Sequence, residues 1–327
     1  MRCSTIILSC LALIAGSAVA VAGDCPGNPD ALGTSRVLAI SPDDFSRIGT
    51  MQYKQTLPLA DHEVVLTFDD GPIPPYSNTI LDTLASQCVK VTYFLVGEMA
   101  RNYPAVVRRM YNEGHTIGTH SQDHPLRFQR LAEAGVEQEV DVGIASVDTA
   151  LGDPKALAPF FRIPGLGRSP TADEFLASRH LVTWSADVVA DDWFRHINAQ
   201  QIVKRAIRRL DEKGRGILLL HDIHPATAMA LPTLLKELKS RGYHVVHVVA
   251  AGERPASLPD LVASPVPGKE GWPRILKTRV ASAAIDLPAP HHRIKKLAAG
   301  KHRRAAVADV RAPDYVAQAR DWELRQF

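Results

Sequence analysis

The residues best equipped for chemistry are two neighbouring carboxylates, Asp69 and Asp70, in the stretch Val64–Pro72 (Val-Val-Leu-Thr-Phe-Asp-Asp-Gly-Pro). An apolar and β-branched run of strand character ends in this pair, and Gly71-Pro72 breaks it. Adjacent side chains on a strand point to opposite faces, so the two carboxylates cannot do the same job. At a strand end the chain is already turning, and both can reach one pocket, one holding a cation and the other handling a proton. Taken alone, Asp-Asp-Gly-Pro reads better as a polar turn. Four further segments shift the balance.

The first is His120-Ser121-Gln122-Asp123-His124-Pro125, directly after the strand-like Thr116–Thr119. Two imidazoles four residues apart share a face if this turn is helical. Such pairs are frequent on surfaces, but with an upstream aspartate they make a two-nitrogen, one-oxygen set. That set leaves an open position for water on zinc or a similar divalent ion. The second is Phe161-Arg162-Ile163-Pro164-Gly165, whose arginine can fork onto a carboxylate or form an ordinary surface ion pair. The third is Trp184-Ser185-Ala186-Asp187 followed by Asp191-Asp192-Trp193. The fourth is Leu218-Leu219-Leu220-His221-Asp222, an apolar run delivering a histidine to its end.

Each segment sits at the close of a predicted strand. Strand-like runs fall at Val64–Phe68, Val89–Val96, Thr116–Thr119, Phe160–Arg162, Leu181–Ala186, Gly216–Leu220 and Tyr243–Val249. Helical stretches lie between them at Ser77–Ser86, Pro104–Glu113, Leu131–Leu151, Thr171–Ser178, Ala199–Lys213 and Thr227–Arg241. Asn198 reads as a helix cap, and Gly114, Gly214 and Gly242 as helix stops. This alternation predicts a parallel α/β architecture, either an open doubly wound sheet or a closed barrel. No Gly-x-Gly-x-x-Gly fingerprint or phosphate loop follows the first strand, which argues against a nucleotide-binding version.

In order and spacing, Thr67–Pro72, His120–Pro125, Arg162-x-Pro164, Asp192-Trp193 and Leu219–Asp222 resemble the polysaccharide deacetylases, carbohydrate esterase family four with its NodB homology domain. The similarity runs from about Asp61 to Val249. The resemblance implies a distorted (β/α) barrel, usually of seven strands, and a metal-dependent hydrolase that removes N-acetyl groups from a glycan. The implied substrates are chitooligosaccharide, peptidoglycan or exopolysaccharide units of the N-acetylglucosamine type. An O-acetyl polysaccharide esterase and an inactive carbohydrate-binding homologue are the alternatives.

Carried onto this chain, the family pattern makes Asp69 the base and Asp70, His120 and His124 the ligands of a divalent ion, zinc first, with cobalt or nickel as alternatives. Arg162 positions Asp69. His221 is the general acid and Asp192 its orienting partner, although Asp187 and Asp191 compete for that place. Leu219 lines the acetyl pocket and Trp193 its wall. Pro164 and Gly165 stand where many members have Pro-Pro-Tyr-Gly, so an aromatic side chain is missing beside the substrate. His224 reads as structural.

Length and composition set the frame. The 327 residues are 46% hydrophobic and 22% charged, with a net charge of +3, too mild to imply nucleic acid. From Pro255 onward there are 13 Lys and Arg against 7 Asp and Glu, so a slightly acidic body carries a basic tail. Residues 1–22 read as an export signal, with Arg2, the apolar Ile6–Ala15 and cleavage near Ala20 or Ala22. No later segment approaches a membrane span, so the expected location is periplasmic or secreted. Cleavage leaves Cys25 and Cys88, and two thiols in an exported chain suggest one disulfide. Residues 23–60 lack periodicity and read as an extension laid over a catalytic domain at 61–252. Residues 253–327, rich in Ala, Pro, Lys and Arg, read as a disordered tail that could touch an anionic envelope surface.

Overall fold

The structure, a computed structural model, describes residues 25–153 and 155–251. The export signal and the basic tail lie outside the described residues.

The strand Glu63–Asp69 (β3) is buried at every position, as its continuous apolar run requires when both faces of a parallel sheet are covered. On one side of it stand Thr92–Leu95 (β4), Thr116–Thr119 (β5), Leu157–Arg162 (β6) and Val182–Trp184 (β7), in that order. On the other side stand Gly216–His221 (β9) and then Val188–Val189 (β8). Every pairing is parallel. The two arms of the sheet end at β7 and β8, which follow one another in the chain, and the result is the expected α/β barrel in distorted form.

Helices α1 (Pro74–Ser86), α3 (Pro104–Asn112), α4 (Glu133–Leu151), α5 (Pro170–Ser178), α6 (Ala199–Lys213) and α7 (Pro225–Ser240) match the predicted stretches, and a short α2 (Gly97–Asn102) was not foreseen. Helices α1 and α7 start two to three residues before the apolar pattern does, because prolines occupy their first turns. Alternation along β3 sends Val64, Leu66 and Phe68 to the helical layer. Val65 joins an inner cluster with Phe94, Phe160, Val182, Trp184 and Ile217.

Residues 25–60 are not laid over this unit but built into it. Arg36–Ile40 (β1) pairs with the last strand, His244–Ala250 (β10), and Arg47–Ile48 (β2) pairs with β7. Ile40, Ile48, Leu57 and Leu59 are buried in the inner cluster with Val246 and Val248 of β10. Each such side chain contributes roughly 1.5–3 kcal/mol of gross transfer energy. Strands of five and two residues with remote partners leave little local periodicity, so the sequence reads as irregular there. Cys25 and Cys88 are joined by a disulfide. Asn28, Leu32 and Thr34 add hydrogen bonds to residues 86–90.

Two buried histidines, His115 and His247 of β10, stand at the start of β5. His115 accepts a hydrogen bond at Nδ1 from the Val91 amide, and His247 Nε2 lies 2.9 Å from Thr116 Oγ1. Burial, aided by Lys90, pushes His115 down to about 3 and His247 down to about 4. Both are neutral when folded and titrate near 6.5 when unfolded, so the unfolded chain takes up protons first. Their contribution is full above about pH 6.5 and declines as pH falls towards 4. The melting temperature should therefore drop between pH 7 and 4.5, with a shallower slope in the double variant His115→Gln/His247→Gln. Equal slopes would contradict this.

Candidate metal centre and catalytic cleft

The C-terminal ends of β3, β5, β6 and β9 converge on a cleft of about 370 Å3 lined by Asp69, Asp70, His120, His124, Gly165, Trp193, Leu219 and His221, among others. Asp69 faces inward from β3, and alternation would turn Asp70 away from it. That alternation is broken at Asp70 itself, whose φ of 76° lies in the left-handed region that Asp tolerates better than most residues. The next residue has to be glycine, since a Cβ on Gly71 would meet Asp222 Oδ1 at 2.1 Å. Buried Asp222 also accepts a hydrogen bond from Ser77 of α1, and its own amide donates to the Asp69 carbonyl. The turn is thus held from both sides.

Asp70 Oδ1 lies 3.3 Å from His120 Nε2 and 3.3 Å from His124 Nε2. One donor atom from each of the three residues falls within 4.8 Å of the others. Asp70 Oδ1 is buried with no hydrogen-bond partner, an arrangement that costs free energy unless a cation answers it. His120 Nδ1 is 2.6 Å from the Arg162 carbonyl, which fixes the tautomer and leaves Nε2 free to ligate. Burial alone would raise the Asp70 carboxyl, but His124, His221 and His120 together hold it well below the carboxylate range. The donor set fits a divalent cation.

The imidazole pair does not share a helix face. Residues 120–127 contain no helix, and Ser121 and His124 carry φ of 67° and 54°. A looped segment, not a helical turn, brings the rings to 4.8 Å between centroids. That loop is held by α4 and α2. Glu139 accepts from the amides of Gln122 and Asp123 at 3.1 and 3.0 Å, and Ser146 donates to Gln122 Oε1 at 2.8 Å. The amides of Gly97 and Glu98 donate to the carbonyls of Ser121 and Gln122. Gly143 lets α4 approach this closely, because a Cβ there would meet the Ser121 carbonyl carbon at 2.6 Å. Sequence reading missed Glu139 and Gly143. The only available signal was a glycine inside a helix with no helical reason to be there.

Arg162 is wholly buried at the barrel centre. Its Nη1 donates to Asp69 Oδ1 at 2.7 Å and to Thr67 Oγ1 at 2.8 Å, its Nη2 donates to the Ser185 carbonyl at 2.9 Å, and its guanidinium stacks 4.3 Å from the Phe94 ring. Across the cleft, His221 Nδ1 is 2.8 Å from Asp192 Oδ1. Asp192 Oδ2 accepts from the His221 amide and from Thr227. Burial opposes the imidazolium, but Asp192, then Asp70 and Asp69, raise His221 to about 10.

The other two aspartates are engaged elsewhere. Asp187 accepts from Thr50, Thr56 and the Ile217 amide, and Asp191 pairs with Arg205 and Arg209. Trp193 packs edge-on against His221 at 5.4 Å. Leu219 lies at the cleft floor and Gly165 lines it with φ of 59°, whereas Pro164 is buried and does not reach the surface of the cleft. His224, at the start of α7, packs edge-on against His221 with ring centroids 5.8 Å apart. Met51, Gln52, Leu126, Leu166 and Val189 also line the cleft and carry no motif by which sequence could single them out.

If Glu139 sets the His124 loop, Glu139→Ala should weaken binding of a divalent probe such as Co2+ by about 10–100-fold, with Glu139→Gln intermediate. Calorimetric titration reads this directly, and an unchanged affinity in Glu139→Ala would exclude the assignment.

Comparison with known proteins places this geometry. Residues 57–181 match the polysaccharide deacetylase family. A peptidoglycan-N-acetylglucosamine deacetylase of Listeria monocytogenes is 35% identical over 187 residues, which are 57% of this chain and 38% of that protein. A chitooligosaccharide deacetylase of Bradyrhizobium is 32% identical, covering 56% of this chain and 87% of that one. The solved peptidoglycan deacetylase Bd3279 of Bdellovibrio bacteriovorus superposes with a TM-score of 0.58 at 31% identity, covering 66% of this chain and 59% of that one. The chain thus spans little more than a third of the Listeria relative's length but most of the Bradyrhizobium relative's. With this likeness and the barrel in agreement, the chain belongs to the polysaccharide deacetylase family.

Proposed function

We propose that this chain is a metal-dependent hydrolase that removes N-acetyl groups from a glycan of the N-acetylglucosamine type and releases acetate. The observation that carries this reading is the convergence of three units on one cleft: Asp69 with Arg162, the Asp70–His120–His124 set, and His221 with Asp192. The Listeria and Bradyrhizobium relatives, a peptidoglycan-N-acetylglucosamine deacetylase and a chitooligosaccharide deacetylase, support the substrate class.

A divalent ion, zinc before cobalt or nickel given two imidazoles and one carboxylate, would be held by Asp70, His120 and His124; the chemistry it supplies is polarisation of the acetyl carbonyl and acidification of water. Asp69 accepts the proton of the attacking water, with Arg162 fixing one of its oxygens. The Gly165 backbone, which lines the cleft, would offer its N–H to the tetrahedral oxygen. His221 gives its proton to the departing nitrogen, so the C–N bond breaks without expelling an amide anion. Asp192 holds the imidazole by Nδ1, which leaves Nε2 towards the cleft. Leu219 and Trp193 enclose the acetyl methyl.

We read residues 1–22 as an export signal and the basic segment after residue 252 as suited to an anionic envelope surface; both lie outside the described residues. Among the described residues no helix is long and apolar enough to cross a membrane.

Acetate release across chitooligosaccharides, peptidoglycan and acetylxylan, with and without chelator, tests the reading. Release from an N-acetylated glycan, lost on chelation and restored by zinc, is expected. Metal-loaded protein that releases none from any of them would sink it.

The acid–base assignment makes a second prediction. Asp192 is the main group raising His221, so its removal lets the imidazole lose its proton at lower pH. Asp192→Asn should move the alkaline limb of the kcat profile to lower pH, and kcat itself should fall by about 100-fold or more. An unmoved alkaline limb would contradict the pairing.

A further inference from the structure

One wall of the cleft comes from residues that precede the family match at residue 57. The loop Gly49–Tyr53 brings Met51 and Gln52 to the cleft, which Leu126, Leu166 and Trp193 also line. It is a constructed element. The buried Asp187 carboxylate receives the Thr50 amide at 2.8 Å and the Thr50 hydroxyl at 2.7 Å on one oxygen. Its other oxygen receives the Thr56 hydroxyl at 2.7 Å and the Ile217 amide at 2.9 Å. One carboxylate thus ties the loop to the barrel strand that ends in His221. The Met51 amide donates to the Ala186 carbonyl, and Arg168 donates to the Gln52 carbonyl at 2.8 Å while stacking on Tyr53. Tyr53 in turn bonds Asp173 at 2.9 Å. Gly49, at φ 103°, passes so close to Ser185 that a Cβ would stand 2.6 Å from its carbonyl carbon, the same residue whose carbonyl oxygen accepts from Arg162.

This rigid loop holds a large apolar side chain in the open. Met51 is 43% exposed and Leu126, which also lines the cleft, is 43% exposed as well. Two of the five exposed large hydrophobic residues among those described therefore line one opening, where scattered placement is the ordinary pattern. The Gln52 side-chain amide has no hydrogen-bond partner among the described residues, so its two donors and its acceptor are uncommitted. A pyranose presents apolar C–H faces and polar edges, and an apolar thioether beside a free amide is complementary to both. A cleft of about 370 Å3 is at the small end for ligand sites, so a sugar seated there meets its walls.

Resting on the deacetylase reading, we infer that Met51 and Gln52 are specificity-determining residues: Met51 packs on the apolar face of the bound glycan and Gln52 bonds its hydroxyl or acetamido edge. Their contribution is to binding and not to the bond-breaking step.

The test uses Met51→Ala, Gln52→Ala and the conservative Met51→Leu in the metal-loaded full chain, with N-acetylated chitotetraose as the probe. For the two alanine variants KM should rise about 5–10-fold with kcat within two-fold. Met51→Leu should stay near wild type, and Co2+ affinity should be unchanged throughout. KM within two-fold of wild type in both alanine variants would overturn the inference, as would a loss that tracks metal affinity or melting temperature. If the wild type releases no acetate, the functional reading fails by itself. The wall is then judged by calorimetric binding of the same tetramer in an Asp69→Asn background. Weaker binding in the alanine variants keeps the wall, and equal or absent binding overturns it.

Discussion

The buried guanidinium of Arg162 constrains everything else in the site. A charge in the barrel interior has to be answered, and removing one partner of such a pair costs about 3–5 kcal/mol. Asp69, Thr67, the Ser185 carbonyl and the Phe94 ring answer it between them. Burial still works against the charge and pulls the group down, with Asp69, Asp187 and Asp70 pulling the other way. The same residue acts through its backbone, since its carbonyl orients His120. One position on β6 therefore sets both the carboxylate that handles protons and an imidazole of the metal set.

Around that centre the fold separates rigid supports from the groups that react. Asp69, Arg162 and His221 stand on strands, whose geometry is fixed by parallel pairing with neighbours on both sides. Asp70 and His124 stand on turns with left-handed residues, conformations that persist only when their surroundings determine them. Asp222 and Ser77 do this for Asp70, and Glu139, Ser146 and the close approach at Gly143 do it for His124. The segment before residue 60 extends the same scheme, filling the barrel floor from one side and walling the cleft from the other.

Legibility in the sequence followed the range of the interactions. Apolar runs that end abruptly in Asp, His or Arg exposed five strand ends and the alternating α/β order, because a strand buried on both faces leaves an unbroken mark. The partner of His221 could not be read from Asp187, Asp191 and Asp192 by type. In space it is distinguished by which carboxylate faces the imidazole, the other two being taken up by loop amides and hydroxyls or by arginines of α6. The His120–His124 spacing suggested a helical face, yet the amides of residues 122 and 123 are claimed by Glu139 on another helix, and the local turn yields to that tertiary bond. Strands β1 and β2 were invisible because two to five residues paired to distant partners set no period. The exposed Met51 looks like any surface methionine until the fold places it beside the metal set.

The division of labour at Asp69-Asp70 is the claim on which the rest turns, and metal titration of the two single variants tests it most directly. Asp69→Asn should bind one divalent ion with wild-type affinity and release no acetate, while Asp70→Asn should lose at least about ten-fold in metal affinity. Equal loss of metal in both variants, or retention in Asp70→Asn, would contradict the account.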